Sequence, residues 1–454
     1  HDIAIFTPEQ ARSPACGAIL SRTAVAQIAT QSHRGLPPQV ELKQLVKAVE
    51  QLSTLAKEFM PQDLLEFEIN PLVISDQGLF ALDALVKLAI HDNTGSQPQK
   101  PVHKIKNLLE PQSVAIVGVS EKQMNPGRII LNNLFTEGFE KENIFIIKAG
   151  TKQIDDCLCV PSISSLPKPV DLLILAINAQ QVPLVIKEVV ESKKADSLIV
   201  IPVGLEDKHV TEQLVGEMNK KLAEARESSW QGPVINGGNC LGIRSVPGRY
   251  NTMFMPEHKL PIDRKKTSPV ALISQSGAFA ISRINSLKGI YPKYTISVGN
   301  QMDLTLGDYL DYLKNDKEVA VYAAYIEGFR LGDGQTFLKA AEQIVKSGRT
   351  VIAYRSGRTA EGASASASHT ASMAGEYAIT RELFQNAGVV VADTISDFQD
   401  LIKLFTYLKD KKTTGDKLGA ISNAGFECVA FADHLGSFKL APFAQSTKVK
   451  LENV

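Results

Sequence analysis

From Ile105 onward the chain alternates short β-branched runs with amphipathic segments, and no other feature limits its fold as strongly. Strands that are apolar on every side must be covered on both faces, and helices between them supply the cover, so βαβ units in a parallel sheet are expected. The candidate strands are SVAIVGV from Ser113, VDLLILAI from Val170, DSLIVIPV from Asp196, PVALIS from Pro269, KYTISV from Lys293, VAVYAAYI from Val319, TVIAYR from Thr350 and KLGAIS from Lys417. Between them VPLVIKEVVE, TFLKAAEQIVK and FQDLIKLFTYLK repeat apolar residues at spacings of three and four, the helical signature. The fold class is doubly wound α/β.

The first ninety residues read differently. A long helical pattern, VELKQLVKAVEQLSTLAKEFM, is followed by LEFEINPLVI, a turn at SDQG and LFALDALVKL, and the pieces flanking Asp76, Gln77 and Gly78 predict a β-hairpin. HDNTGSQPQKPVHK, polar and rich in Gly, Pro and Gln, reads as a linker. A second boundary falls near HKLPIDRKKTSP, between two α/β blocks. With 454 residues, several domains are expected.

Composition excludes some partners. Lys plus Arg and Asp plus Glu both number 49, so the chain lacks the basic excess of a nucleic-acid or membrane-surface binder. Charged, polar or Pro residues interrupt every apolar run well before the roughly 18 residues a membrane span needs. Five cysteines without a CxxC pair support neither a disulfide framework nor a zinc ribbon, and a cytoplasmic location is expected; Cys157 and Cys159 read as packing residues. His1 is not an initiator residue, and the last βα unit is too short to bury its own face, so a fragment at both ends is expected.

Five constellations could carry chemistry. SVAIVGVSEKQMNPGRIILNNL runs from a strand through a loop with Gly118, Ser120 and Gly127 into a helix, which suits a phosphate held by backbone amides, although an ordinary βα turn has the same pattern. ASASASHTASMAG places His369, the single titratable side chain, in a run of small residues between a strand and a helix; it reads as a nucleophile or carrier, or as a flexible linker with an incidental His. In ISQSGAFAIS, Ser274, Ser276 and Gly277 offer hydroxyls and amides to an anion where a helix begins near Ala278, and the GxSxG elbow of a Ser hydrolase is not matched. Glu327 and Glu206 follow strands, where a carboxylate can orient an imidazole, or can simply be solvated. Glu68, Asn70 and Asp83 could meet across neighbouring strands as oxygen ligands for Mg²⁺.

Taken together and in this order, these motifs resemble the NDP-forming, usually ADP-forming, acyl-CoA synthetases (the acetate–CoA ligase family), relatives of succinyl-CoA synthetase. EFEINPLVI with ALDALV is similar to the end of the family's ATP-grasp domain, SVAIVGVS to the start of its Rossmann-like CoA-binding domain and GGNCLGI to its close. ALISQSGAFA, SVGNQMDLTLGDYLDYL and SHTASMAG resemble its flavodoxin-like ligase domain, and KLGAISNAGFECVAFADHL the opening of a second ligase domain. The resemblance implies an ATP-grasp part over 1–92, a linker over 93–104, a CoA-binding domain over 105–262, a ligase domain over 263–412 and a truncated second one from 413 to 454. It implies an acyl-CoA synthetase with CoA, ATP/ADP and Mg as cofactors and a small carboxylic acid as substrate. His369 would carry the phosphoryl group and Glu327 would orient it; Gly118, Ser120, Gly127, Lys148 and Asn239 would bind CoA; Ser276 and Gly277 would hold the phosphoryl group; Asn70 and Asp83 would ligate the metal. The chain departs from the family pattern at Ala371, at IIKAG, where Lys148 would have to act from a shifted position beside Ala149, and at Gly238, which is expected to loosen the turn presenting Asn239. An oligomer, or a missing ATP-grasp portion, is implied as partner. Two other readings are a non-catalytic CoA-binding regulatory module and the synthetase-like portion of a protein acyltransferase.

Overall fold

The computed structural model describes residues 4–452 except 33–34, 36, 61–62, 76–77, 89–98, 203–211, 257–258, 260–262, 265, 360, 363–376 and 413. His369, Ala371 and Glu206 lie outside the described residues. The chain divides into two compact units, residues 1–406 and 407–454.

Within the first unit, the N-terminal portion carries helix α1 (Leu42–Phe59) and four strands, β1 (Leu64–Ile69), β2 (Leu72–Ser75), β3 (Gly78–Ala81) and β4 (Ala84–Leu88). The expected hairpin is there as β2 against β3, and β1 pairs antiparallel with β4 outside it.

The next block builds a seven-stranded sheet from β5 (Val114–Val117), β6 (Ile144–Ile147), β7 (Gln153–Ile154), β8 (Cys157–Val160), β9 (Val170–Leu175), β10 (Ala195–Val200) and β11 (Val234–Gly237). Its spatial order is β11-β10-β9-β5-β6-β8-β7, parallel except at β7. Helices α2 (Pro126–Thr136), α3 (Val182–Ser192) and α4 (Glu212–Glu227) connect the strands. The chain runs from β5 to β6 on one side and then returns to β9 on the other, so a topological switch point lies between β5 and β9.

A second seven-stranded sheet contains β12 (Ile243–Ser245), β13 (Tyr250–Asn251), β14 (Ser268–Ser274), β15 (Pro292–Ser297), β16 (Val321–Ile326), β17 (Thr350–Arg355) and β18 (Val390–Val391), in the order β13-β12-β15-β14-β16-β17-β18. Its helices are α5 (Gly277–Ser286), α6 (Leu306–Leu313), α7 (Asp333–Lys346), α8 (Tyr377–Asn386) and α9 (Ile395–Leu408). The switch point here lies between β14 and β16. The chain joins this sheet at Ile243, well before the charged, proline-containing stretch near 262: β12 pairs antiparallel with β15, closing the exposed side of that strand.

One continuous apolar core runs from Val114, Ile116 and Leu172 of the first sheet to Ile273, Ile296 and Tyr322 of the second. The stretch read as a linker is tied down at its end. Lys104 is 8% exposed; its Nζ reaches Asp196 at 2.7 Å and the carbonyls of Trp230 and Gly232, and lies 4.8 Å from the Trp230 ring centre. Cys157 and Cys159 are buried among apolar side chains, and burial pushes the Cys157 thiol up to about 11, in keeping with a packing role.

In the second unit β19 (Lys417–Leu418) and β20 (Lys439–Leu440) pair in parallel around α10 (Gly425–Asp433), and α11 (Gln445–Glu452) follows. Only two residues of KLGAIS form strand. A lone βαβ turn has nothing to cover its apolar side, and Ile421 and Phe426 remain 79% and 75% exposed.

The ion pair between Arg226 and Asp303 connects α4 to the segment after β15 at 2.9 Å, with both side chains almost fully buried, and Asp303 also accepts from the amide of Ile235 at 2.8 Å. Arg226→Met leaves a buried carboxylate without its cation, and we expect a loss of ~3–5 kcal/mol of stability, measured by urea unfolding against the wild-type chain.

Candidate functional site

The first cluster forms at the end of β5. Gly118 has φ +98°, and a Cβ there would lie 2.2 Å from the carbonyl oxygen of Ala176; a Cβ on Gly127 would lie 2.6 Å from the carbonyl of Gly118. The two glycines therefore let strand, loop and helix approach more closely than any side chain permits. Gly127 lies inside the first turn of α2, which starts at Pro126, rather than before the helix. Asn125 caps that helix by accepting from Arg128 N, and its amide nitrogen donates to the Gly118 carbonyl at 2.7 Å. Ser120 Oγ is used within the loop, accepting from the amide of Gln123 at 2.9 Å.

Lys148, at the end of β6, reaches this loop from the neighbouring strand. Its Nζ lies 3.4 Å from the Val119 carbonyl and 3.2 Å from the Glu121 carboxylate. Glu121 was not singled out in the sequence. Hydrogen bonds from Thr151 and Lys148 hold its carboxyl below the usual range. The structure thus brings Gly118, Ser120, Gly127 and Lys148 together, and Arg128 also reaches the loop, at the Glu121 carbonyl.

Asn239 stands in the turn after β11. Its φ is +51°, its amide donates to Pro202 O at 2.9 Å, and its Nδ2 donates to Asn300 Oδ1 at 3.3 Å. The turn around Gly238 is bonded to the segment after β15. The Gly238 carbonyl accepts from Asn300 N at 2.8 Å and the Gly237 carbonyl from Met302 N at 2.7 Å, while Leu241 N donates to Ser297 Oγ at 3.1 Å. Backbone-to-backbone bonds do what a proline ring would do, and the Gly237–Gly238 peptide is cis.

The third cluster lies at the switch point of the second sheet. Ser276 caps α5, its Oγ accepting from Phe279 N at 3.2 Å, and Ser274 Oγ donates to Ser276 O at 2.7 Å. The Ser274 hydroxyl proton is thus engaged with the chain, whereas Ser276 only accepts, so the helix start offers an anion the amides of Gly277 and Ala278, which as first-turn donors have no intrahelical acceptor, the Ser276 O–H and the helix dipole. One strand over, Glu327 follows β16 and is 7% exposed. Its backbone is held by Gln275 and Arg355, two residues that the sequence reading passed over. Arg355 was legible as a charged residue closing a buried strand; nothing marked Gln275.

A cleft of about 1060 Å³ is lined by residues of both sheets, among them Asn239, Asn300, Arg330 and Asp333. Asp333 Oδ1 accepts from Thr305 Oγ1 at 2.6 Å and from Gly307 N at 2.9 Å, while Lys100 Nζ pairs with the neighbouring Asp308 at 2.8 Å. Asn70 Nδ2 lies 3.3 Å from Glu68 Oε1 on the same stretch of chain, and Asn70 and Asp83 are joined through the backbone, Asn70 N donating to Asp83 O at 3.2 Å. Among the described residues no group of three or more His, Cys, Asp or Glu is arranged to hold a metal. Asp83 Oδ1 accepts from Ala84 N at 2.8 Å, and Glu68, Asn70 and Asp83 are all exposed.

Two open α/β sheets, each with a loop running into a helix beside its switch point, have the architecture of nucleotide-type binding folds. Family models agree: a CoA binding domain matches residues 112–245, a succinyl-CoA ligase like flavodoxin domain 267–405 and an ATP-grasp domain 2–88. The chain is 31% identical to the alpha subunit of acetate–CoA ligase [ADP-forming] I of Pyrococcus furiosus over 71% of this chain and 67% of that subunit. It is 32% identical to the acetate–CoA ligase [ADP-forming] of Methanocaldococcus jannaschii over 78% of this chain, spanning about half (47%) of that relative. Among solved structures, acetyl-coenzyme A synthetase 1 of Ca. Korarchaeum cryptofilum, in complex with phosphate and ADP, superposes with a TM-score of 0.64 at 29% identity, over 77% of this chain and 72% of that one. The chain belongs to the ADP-forming acetate–CoA ligase family. Among the described residues no helix is long and apolar enough to cross a membrane.

Burial pushes the Asp333 carboxyl up to about 6, with Asp308 adding to the rise and the bonds from Thr305 and Gly307 opposing it. Between the ordinary value of 3.8 and about 6 the folded chain therefore binds a proton that the unfolded chain has lost. Stability falls as pH rises through that window, by up to about 3 kcal/mol, and the deficit persists above it. Asp333→Asn removes this dependence, so the stability of the variant relative to wild type should rise between pH 4 and 6 in paired urea titrations.

Proposed function

We propose that this chain carries the acyl-transfer and phosphohistidine chemistry of an ADP-forming acyl-CoA synthetase. The observation that carries the reading is the pair at the second switch point: the start of α5 at Ser276 and Gly277, and Glu327 on the adjacent strand β16. A helix N-terminus neutralises phosphoryl oxygens, and a neighbouring carboxylate orients and stabilises an imidazolium, which are the two requirements of phosphoryl transfer to a histidine.

In the thioester direction, inorganic phosphate attacks the acyl carbonyl of acyl-CoA; the C–S bond breaks, the acyl C–O–P linkage forms, and CoA leaves as the thiolate and takes a proton. An imidazole nitrogen of His369 then attacks the phosphorus of the acyl phosphate, forming an N–P bond while the carboxylate of the acid departs. Glu327 compensates the positive charge on the ring. The phosphoryl group passes from His369 to ADP, and the reverse sequence consumes acid, CoA and ATP. Gly118, Ser120, Gly127, Lys148 and Asn239 are the residues assigned to CoA, with Lys148 as the cation for its phosphates. Asn70 and Asp83 would hold Mg²⁺, which supplies charge neutralisation on the nucleotide phosphates when bound. Residues 1–92, 105–262 and 263–412 are the corresponding domains in this reading, with the strands at 243–245 and 250–251 pairing into the ligase sheet, and 413–454 opens a second ligase domain. A short carboxylic acid is the substrate class.

The test is intact-protein mass spectrometry after incubation with a panel of acyl-CoAs and inorganic phosphate. We expect one acid-labile phosphate on the wild-type chain and none on His369→Ala, whose CoA affinity should be unchanged. CoA binding without any phosphate adduct across the panel would sink the catalytic reading in favour of a CoA-binding regulatory module. Lys148→Met should weaken CoA binding about 3- to 30-fold in a calorimetric titration, the worth of one charge-assisted phosphate contact.

A further inference from the structure

Around Glu327 lie buried polar side chains that the chemistry above does not use. Gln275, 4% exposed, accepts at Oε1 from the amides of both Glu327 and Gly328, the latter at 3.1 Å, and donates from Nε2 to the Gly328 carbonyl at 2.7 Å. Arg355, equally buried, ends the neighbouring strand β17. Its Nη1 donates to the Glu327 carbonyl at 2.6 Å and to the Ser356 carbonyl. Tyr325, two residues before Glu327, makes a hydrogen bond to the Glu327 side chain, and its ring stacks on Phe279 of α5 with centres 4.0 Å apart.

Where a parallel strand ends, its last peptide groups lose their ladder partners and normally turn to water. Here they turn to side chains. A neutral amide such as Gln275 is enough to satisfy such groups, whereas a buried guanidinium carries a desolvation penalty that two carbonyls alone do not offset. Burial does pull the Arg355 guanidinium below the ordinary arginine range, and the attraction of Glu327 is the largest influence acting the other way. The charge thus has a use beyond loop closure: it sits beside a carboxylate that must remain in one place as an anion.

We infer that Arg355 and Gln275 are positioning residues for the Glu327 carboxylate, with Gln275 fixing the 327–328 backbone from β14 and Arg355 fixing it from β17. Both act through Glu327 and neither is assigned a contact with substrate. The inference rests on the reading of Glu327 given above.

The test uses the full chain with Arg355→Met, Arg355→Lys and Gln275→Leu. Two quantities are followed: hydrogen exchange at the 327–328 amides by mass spectrometry, and the rate of acid-labile phosphate incorporation from acyl-CoA and phosphate. For Arg355→Met we expect faster exchange at 327–328 and a rate about 10- to 100-fold lower, the range for losing hydrogen bonds from a charged donor. Its CoA dissociation constant should stay within about twofold, because the first switch point is a separate site. Arg355→Lys should recover part of the rate, since an ammonium keeps the charge but reaches fewer acceptors. Gln275→Leu should speed exchange at the same amides.

An unchanged rate in Arg355→Met, on a wild-type chain that does take up phosphate, overturns the inference and leaves the functional reading standing. Absence of phosphate on the wild type removes that reading instead, and unchanged exchange at 327–328 in Arg355→Met then removes the positioning role as well. Where Arg355→Met fails to fold, Gln275→Leu decides: it keeps the size of the side chain and deletes its bonds to residues 327 and 328. A several-fold lower kcat with unchanged KM for acyl-CoA supports the network, and unaltered kinetics overturn it.

Discussion

The arrangement depends on a seam of main-chain hydrogen bonds between the turn after β11 and the segment after β15. The carbonyls of Gly237 and Gly238 accept from Met302 and Asn300, and Asn236 reaches Ser297 O and Tyr309 from inside the core. Peptide groups buried at a junction between sheets must be paired there or not be buried at all. The pairing therefore sets the distance between the two sheets, and with it the cleft onto which Asn239, Asn300 and Arg330 open. The Arg226–Asp303 pair sits beside the same seam, and Asn133 to Met253 O and Arg244 to Glu137 join the blocks elsewhere.

Each sheet then solves the same problem of presenting partial positive charge at its switch point. In the first, two glycines bring the loop and α2 into contact and Lys148 supplies a full charge from the next strand. In the second, the start of α5 lies on one strand and Glu327 with its buried supports on the next. A site that holds an anion on one side and a carboxylate on the other needs the carboxylate held rigidly, because repulsion between the two would otherwise push it away. In the proposed reading the buried groups at residues 327 and 328 meet that need.

Much of this was readable beforehand. Both parallel sheets followed from the β-branched runs, the helix after ISQSG from its apolar spacing, and the family from motifs in order. The hairpin around Asp76 and Gln77 was expected and is there as β2 against β3. Less was readable where partners are remote in sequence: Gln275 lies 52 residues from Glu327 and Arg355 lies 28 from it, and no local pattern links them. The early entry into the second sheet at Ile243 was also hidden, since a three-residue strand leaves too little periodicity to detect.

The amino-acid sequence by itself determined which segments are strands and helices, which turns carry glycine, and which chemistry the chain has available, because those properties rest on side-chain size, periodicity and local hydrogen bonding. Tertiary structure decided what the turns face. It bound the Ser274 hydroxyl to the Ser276 carbonyl, tied the Gly238 turn through Asn300, and brought Lys148 to the Val119 carbonyl. Those outcomes come from strands adjacent in a sheet but distant along the chain, and only the sheet order makes them neighbours.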